Sequence, residues 1–301
     1  MGGLRLGTFT PSVLLEVARR DGALARAGLE VTEVAVASSP AQFASLEAGE
    51  YDAVFTSPDN VLAYHFVSGN PLGRRIELEV VAALDRGLGL ALALAPGLAE
   101  VAELRGATLG VDVASSGFAF VAYALLERAG LAPGDYEVVA LGSTPARAQA
   151  LLAGRCAATI VNAGNDQRVA ASGARLVATV AELGPYLGGV LAARAPAGDE
   201  ARSLAEVLAA TADAILTGAR ERDVVEVARE HLGLAPAEAR AHYRVLLDPA
   251  HGYVAGGRAD PAAWRTLIAL RRRYRPAPEL DGLEERVGEL GCPSTRDEEG
   301  P

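Results

Sequence analysis

The chain is built from a unit that occurs twice. The landmarks Leu6-Gly7, Ala27-Gly28-Leu29, Ser39-Pro40-Ala41, Ala48-Gly49 and Asn60 return as Leu109-Gly110, Ala129-Gly130-Leu131, Thr144-Pro145-Ala146, Ala153-Gly154 and Asn165. The offsets are 103, 102, 105, 105 and 105 residues. A spacing this constant over five landmarks means two similarly built units in one chain.

Each unit has the same physical pattern. A short apolar strand, residues 4–8 or 107–113, ends in a polar loop. A helix follows, opened by Ser12 in the first unit and by Ser115-Ser116 in the second. Serine hydroxyls accept hydrogen bonds from the unpaired N–H groups of a helix start. The second unit's helix, about 117–128, stops at Gly130, where a left-handed cap is tolerated. A second strand, 31–36 or 136–140, precedes a helix with Pro40 or Pro145 in its first turn. Ser39 and Gln42 have capping-box spacing. A third strand, 52–56 or 157–161, leads to a polar turn and another helix. Strands alternating with helices imply right-handed crossovers and a mostly parallel sheet in each unit.

Between the units, residues 78–85 and 90–95 read as strands around Arg86-Gly87-Leu88-Gly89, where glycines let the backbone turn. After the second unit, 177–180 and 188–193 bracket Gly184-Pro185-Tyr186, a return crossing. Helical patterns follow at 203–217, 222–232, 236–247 and 261–274. The expected organisation is an α/β chain of two lobes with a cleft between them, each lobe a mostly parallel sheet flanked by helices. Residues 1–86 with 188–275 form one lobe, 87–187 the other, and 276–301 a loose, Pro-, Gly- and charge-rich tail.

Composition removes several functions. The net charge is −10, and the one basic cluster, Arg271-Arg272-Arg273 with Arg275, reads as a solvated helix face, so no nucleic-acid partner is expected. All 28 basic residues are arginine. Without lysine there is no Schiff-base or ordinary pyridoxal-phosphate chemistry and no P-loop lysine. Cys156 and Cys292 stand far apart, and His65, His231, His242 and His251 match no ligand spacing. We expect no metal and no cofactor. No apolar run approaches 18 residues, so no membrane span is expected. The start shows no export signal, which places the chain in the cytoplasm as it stands, and in the periplasm or outside the cell if a signal has been removed.

Two α/β lobes joined by two crossings, with Glu103-Leu104-Arg105-Gly106-Ala107-Thr108-Leu109-Gly110-Val111 opening the second, resemble periplasmic solute-binding proteins of type II. The resemblance is to the class serving nitrate, alkanesulfonate, taurine and thiamine-pyrimidine importers, which also holds thiamine-pyrimidine synthases. Leu46-Glu47-Ala48-Gly49-Glu50-Tyr51-Asp52-Ala53 is similar to that class's lead into its third strand. The resemblance covers roughly residues 4–275. It implies a small polar organic ligand in the cleft, closure by hinge motion near 85–89 and 183–188, and an ABC permease as partner if the chain is exported. The synthases use a histidine, a lysine and a cysteine-rich segment, and this chain lacks the last two.

In open α/β sheets, ligands sit beyond the carboxyl ends of the strands. That rule nominates Thr8, Phe9, Thr10, Ser38, Ser57, Asp59, Asn60, Asp85 and Arg86 from the first lobe. From the second it nominates Ser115, Ser116, Gly117, Phe118, Ser143, Asn162 and Asn165. A bland reading stands beside each. The serines cap helices, Phe9 packs into a core, Asp59 and Asp166 favour a helix start by charge, and Asp85-Arg86 form a structural ion pair. Asp59, Asp85 and Asp166 suit an amine, Arg86 and the Ser115-Ser116 helix start suit an acid, and a zwitterion or polar heteroaromatic satisfies both. Two further functions compete with binding. One is a cytosolic enzyme of lyase or biosynthetic type using Asp59, His65, Asp85 and Arg86. The other is a sensory role in which closure alters a partner contact.

Overall fold

The structure, a computed structural model, describes residues 3–293. The first unit runs β1 (Leu4–Thr8), α1 (Val13–Arg20), α2 (Ala23–Arg26), β2 (Val31–Ala35), α3 (Ser39–Glu47), β3 (Ala53–Thr56), α4 (Pro58–Phe66) and β4 (Leu78–Asp85). The second runs β5 (Ala91–Leu94), β6 (Thr108–Val111), α5 (Gly117–Arg128), β7 (Glu137–Ala140), α6 (Thr144–Leu152), β8 (Ala158–Val161), α7 (Asn165–Ala171) and β9 (Arg175–Thr179). Then come β10 (Gly189–Arg194), α8 (Asp199–Leu216), α9 (Glu221–His231), α10 (Pro236–Leu247), α11 (Pro261–Tyr274) and α12 (Leu283–Arg286).

Two five-stranded sheets result, ordered β2-β1-β3-β10-β4 and β7-β6-β8-β5-β9. They are topological copies. In each, one strand runs against the other four: β10 in the first sheet and β5 in the second. The chain path explains this. Strands β4 and β9 end where the chain crosses to the other sheet, so the strand that enters there runs back the opposite way. The sheets are therefore mixed, parallel in β1, β2 and β3 and in β6, β7 and β8.

The repeat extends to register. Leu6-Gly7 faces Ala53-Val54, and Leu109-Gly110 faces Ala158-Thr159. Both glycines are needed for close approach. A β-carbon at Gly7 would lie 2.8 Å from the Tyr51 ring, and one at Gly110 would lie 3.0 Å from the Cys156 sulfur. Tyr51 and Cys156 are themselves 105 residues apart, so each unit lays the residue two before its third strand over the glycine of its first.

One large core joins both lobes. Val54, Leu62 and Tyr64 from the first sheet's side and Leu92, Leu109, Val121 and Ile160 from the second meet through Trp264, Leu267 and Ile268 of α11. A second core lies between β1, α1, α8 and α9, with Leu6, Leu15, Leu204 and Val224 buried. Among the described residues, no helix is long and apolar enough to cross a membrane.

Three expectations need correction. The capping box at Ser39 and Gln42 does not form. Ser38 caps α3 instead, accepting from the Ala41 N–H at 3.3 Å, while buried Gln42 donates to the carbonyls of Gly7 and Phe55. The basic cluster is not wholly a solvated face, because Arg271 is 4% exposed and bound to Asp59. Residues 276–293 are packed, not loose, with Leu280, Leu283 and Leu290 fully buried in the joint core. Residues 294–301 of the expected tail lie outside the described residues.

Candidate functional site

The loops that leave both sheets converge on one cavity of about 200 Å³. Its wall includes the starts of α1, α3 and α4 from the first lobe and of α5 and α6 from the second. Five helix starts aimed at one space concentrate free N–H groups and positive dipole ends there. The hydroxyls of Ser12, Ser38, Ser57 and Ser116 accept from backbone N–H groups of their own helices. Ser143 caps α6 by position but accepts no such bond among the described residues, which leaves its hydroxyl free to face the cavity.

Of the residues nominated from sequence, Phe9, Thr10, Ser38, Ser57, Asn60, Asp85, Ser116, Gly117, Phe118, Ser143 and Asn162 line the cavity. Five do not. Thr8 is buried and hydrogen-bonded to Glu33, which also accepts from the Ser12 N–H at 3.0 Å and so anchors the Phe9–Ser12 loop. Asp59 points away and takes both its oxygens to Arg271, at 2.7 and 2.6 Å. Arg86 donates to the Tyr253 carbonyl rather than pairing with Asp85. Ser115 is half-buried beside the capping Ser116. Asn165 donates to the Asn162 carbonyl at 3.1 Å. Asp166 is likewise outside, accepting from the Gly164 N–H and from Gln167.

The acid–base set Asp59, His65, Asp85 and Arg86 is thus not assembled. His65 accepts from the Leu78 N–H on the far side of α4, and only Asp85 reaches the cavity.

Asp85 ends β4 at the crossing. Its Oδ1 accepts from the Gly87 N–H at 2.8 Å, and its Oδ2 accepts no hydrogen bond among the described residues. The return crossing makes room for it: a β-carbon at Gly188 would lie 2.5 Å from Oδ1, and one at Gly189 would collide with Oδ2. Burial pushes the Asp85 carboxyl up to about 6, against the lowering effect of the Gly87 bond. Asn162 from the second lobe donates to the Gly87 carbonyl at 2.9 Å, so both lobes meet at this crossing.

The wall residues that sequence reasoning missed include Asp112, Arg147, His242 and Tyr253. Arg147 is 1% exposed. It donates to the Gly142 carbonyl (2.6 Å), the Thr144 hydroxyl (2.9 Å) and the Ile160 carbonyl (3.2 Å), and its Nε has no partner among the described residues. Desolvation lowers its proton affinity and the charge of Asp112 offsets this. Asp112 accepts from the Ser116 hydroxyl. His242 on α10 is 1% exposed, its Nδ1 has no partner among the described residues, and burial pushes its pKa down to about 4. Arg147 sits three residues after Thr144, one turn into a helix that starts at the cleft, and that spacing was the signal available for it.

Two copied α/β lobes, linked by two crossings with one shared cavity between them, define a two-lobed ligand-binding protein of the periplasmic binding type. Residues 24–243 match the family model described as "ABC transporter, phosphonate, periplasmic substrate-binding protein", and the chain belongs to that family. No curated protein matches it. Among solved structures it is similar to the alkanesulfonate-binding protein SsuA of Xanthomonas axonopodis pv. citri bound to MOPS. There the TM-score is 0.73 and the identity 19%, over 93% of this chain and 96% of that one. It is also similar to the nitrate-binding protein NrtA of Synechocystis PCC 6803, with TM-score 0.74 and 12% identity over 94% of this chain and 85% of that one. The aliphatic sulphonate binding protein SsuA of Escherichia coli gives TM-score 0.67 and 18% identity over 99% and 94%. At these identities the likeness shows the fold.

Proposed function

We propose that this chain is the ligand-capturing receptor of an ABC importer and holds a small polar organic molecule in the cavity between its lobes. The observation that carries this reading is the shared wall. Phe9, Thr10 and Asp85 from one lobe face Ser116, Phe118 and Arg147 from the other across a single cavity. A ligand touching both walls gives closure its driving force, because it binds the closed arrangement better than the open one. The crossings at 85–89 and 183–188 are the hinges, with lobe boundaries at 86/87 and 187/188. Family membership supports a permease partner and a place of work outside the cytoplasmic membrane. The printed ligands of the similar structures, alkanesulfonate and nitrate, support an acidic group on the ligand, as do Arg147 and five convergent helix starts.

The test is a thermal-shift screen of the full chain against acids, amino acids and heterocyclic acids, followed by small-angle scattering. The expected result is at least one compound that raises the Tm by several degrees and lowers the radius of gyration. A library that leaves both unchanged contradicts the proposal.

A further inference from the structure

Two helical junctions tie the lobes together, and they differ in strength and in place. In one, Arg271 of α11 binds Asp59 of α4 and lies over the Phe120 ring of α5. Both charged side chains are buried, and neither lines the cavity. In the other, residues 232–235 link α9 to α10 and form a strap across to α7. The helices that carry the strap belong to the first lobe, since Val224, Tyr243 and Leu246 pack in the core that holds Leu6 and Leu15. The strap itself rests on the second lobe. The Leu232 carbonyl accepts from Arg168 of α7. Gly164, at the start of α7, makes room for the strap: a β-carbon there would lie 3.0 Å from Leu232 Cδ1 and 3.2 Å from Leu234 Cδ1. Leu232 also lines the cavity.

The strap is the junction that yields. Separating Arg271 from Asp59 strands two buried charges. Arg168 and Leu232 are each half-buried, so their one hydrogen bond exchanges for bonds to water at small cost. Backbone strain lies beside the strap as well. Leu88 (φ 51°) and Ala163 (φ 52°) are the only non-glycine residues with left-handed backbone among the described residues. Both line the cavity, and the Ala163 N–H donates to the Leu88 carbonyl at 3.0 Å. Leu88 sits in the first crossing and Ala163 directly before Gly164, so the strained pair spans the two lobes. An arrangement with ordinary φ at these residues recovers the cost.

Resting on the cleft as the ligand site, we propose that the strap is the gate of the cavity. Opening lifts Leu232 and Leu234 off α7 and returns Leu88 and Ala163 to ordinary backbone, while α11 keeps α4 and α5 joined. Arg168 is the latch, and the ligand passes under Leu232.

Hydrogen–deuterium exchange of the full chain without ligand, corrected for intrinsic rates, tests this peptide by peptide. Arg168→Met is expected to speed exchange about tenfold in peptides covering 162–168 and 232–235, the loss of one charged hydrogen bond. Peptides of α4 and α11 keep the wild-type rate, and small-angle scattering shows a larger radius of gyration. Ala163→Gly removes one methyl group and the left-handed cost, and is expected to slow the same two peptides about fivefold. This variant carries the test alone if Arg168→Met does not fold. An acceleration below about threefold in Arg168→Met overturns the proposal, given what a charged hydrogen bond contributes. So does an equal acceleration in α11, or exchange in Ala163→Gly no slower than in the wild type. Since no ligand enters, each of these failures leaves the cleft reading to the thermal-shift screen.

Discussion

Arg271 of α11 closes a two-pronged hydrogen bond on Asp59 of α4, Nε to Oδ1 at 2.7 Å and Nη2 to Oδ2 at 2.6 Å. The pair lies where the lobes meet. The Arg271 guanidinium sits 5.3 Å from the centre of the Phe120 ring on α5, and a β-carbon at Gly117 would lie 2.5 Å from the Asp59 Cβ. Tyr274 and Arg273 of the same helix reach Glu127 of α5, at 2.7 and 2.6 Å. Helix α11 therefore fastens α4 of the first lobe to α5 of the second.

Breaking that pair from one side strands a buried charge. Asp59→Asn or Arg271→Met is expected to cost about 3–5 kcal/mol in urea unfolding, and a combined apolar replacement of both is expected to recover most of it. A loss below about 1 kcal/mol for either single variant contradicts the reading.

Asp85 makes stability depend on pH with a definite sign. Its carboxyl titrates near 6 when folded against an ordinary 3.8, so its favourable contribution is complete below 3.8 and lost as pH rises through about 6. Asp166 has the same sign, for the same cause. His242 acts oppositely: its contribution is present above 6.5 and lost as pH falls through about 4. Asp85→Asn is expected to exceed the wild type in stability by about 2 kcal/mol near pH 8, and to match it near pH 4. Denaturant curves at both pH values measure this, and a variant less stable than the wild type at the higher pH contradicts it.

Arg147→Met is expected to weaken binding of the best acidic ligand about 100-fold, the loss of a charge-assisted hydrogen bond in a desolvated wall. The three carbonyl and hydroxyl partners of Arg147 also lose a donor, so a fall in Tm accompanies it. Unchanged affinity by calorimetry removes Arg147 from the site.

The C-terminal segment contributes to the fold. Leu280→Ala or Leu283→Ala is expected to cost about 2–5 kcal/mol, the range for emptying a fully buried leucine position. Values under about 0.5 kcal/mol would mean the segment adds little to stability.

The lobes were legible because each unit is locally complete. Its strands, glycines and serine-led helix starts lie within about 60 consecutive residues, and the second copy repeats their register. The serines at Ser38, Ser57, Ser116 and Ser143 were legible for the same reason, since a cap at a strand's end also marks the cleft. The antiparallel strands β5 and β10 were hidden, because orientation depends on where the chain crosses and not on residue type. Asp59 misled, because its partner Arg271 is 212 residues away in a helix whose charges looked solvated. His242 and Tyr253 were invisible, as they reach the wall from the segment that follows both repeated units. In the tail, the proline and charge content masked Leu280, Leu283 and Leu290, which are the residues that dock it.

The most direct measurement is native mass spectrometry of the full chain after incubation with a bacterial metabolite extract, wild type beside Thr10→Trp. Thr10 is half-buried on the cavity wall, and an indole there fills the cleft. The account predicts a one-to-one small-molecule adduct on the wild type and none on the variant. An adduct of equal occupancy on both, or on neither, contradicts it.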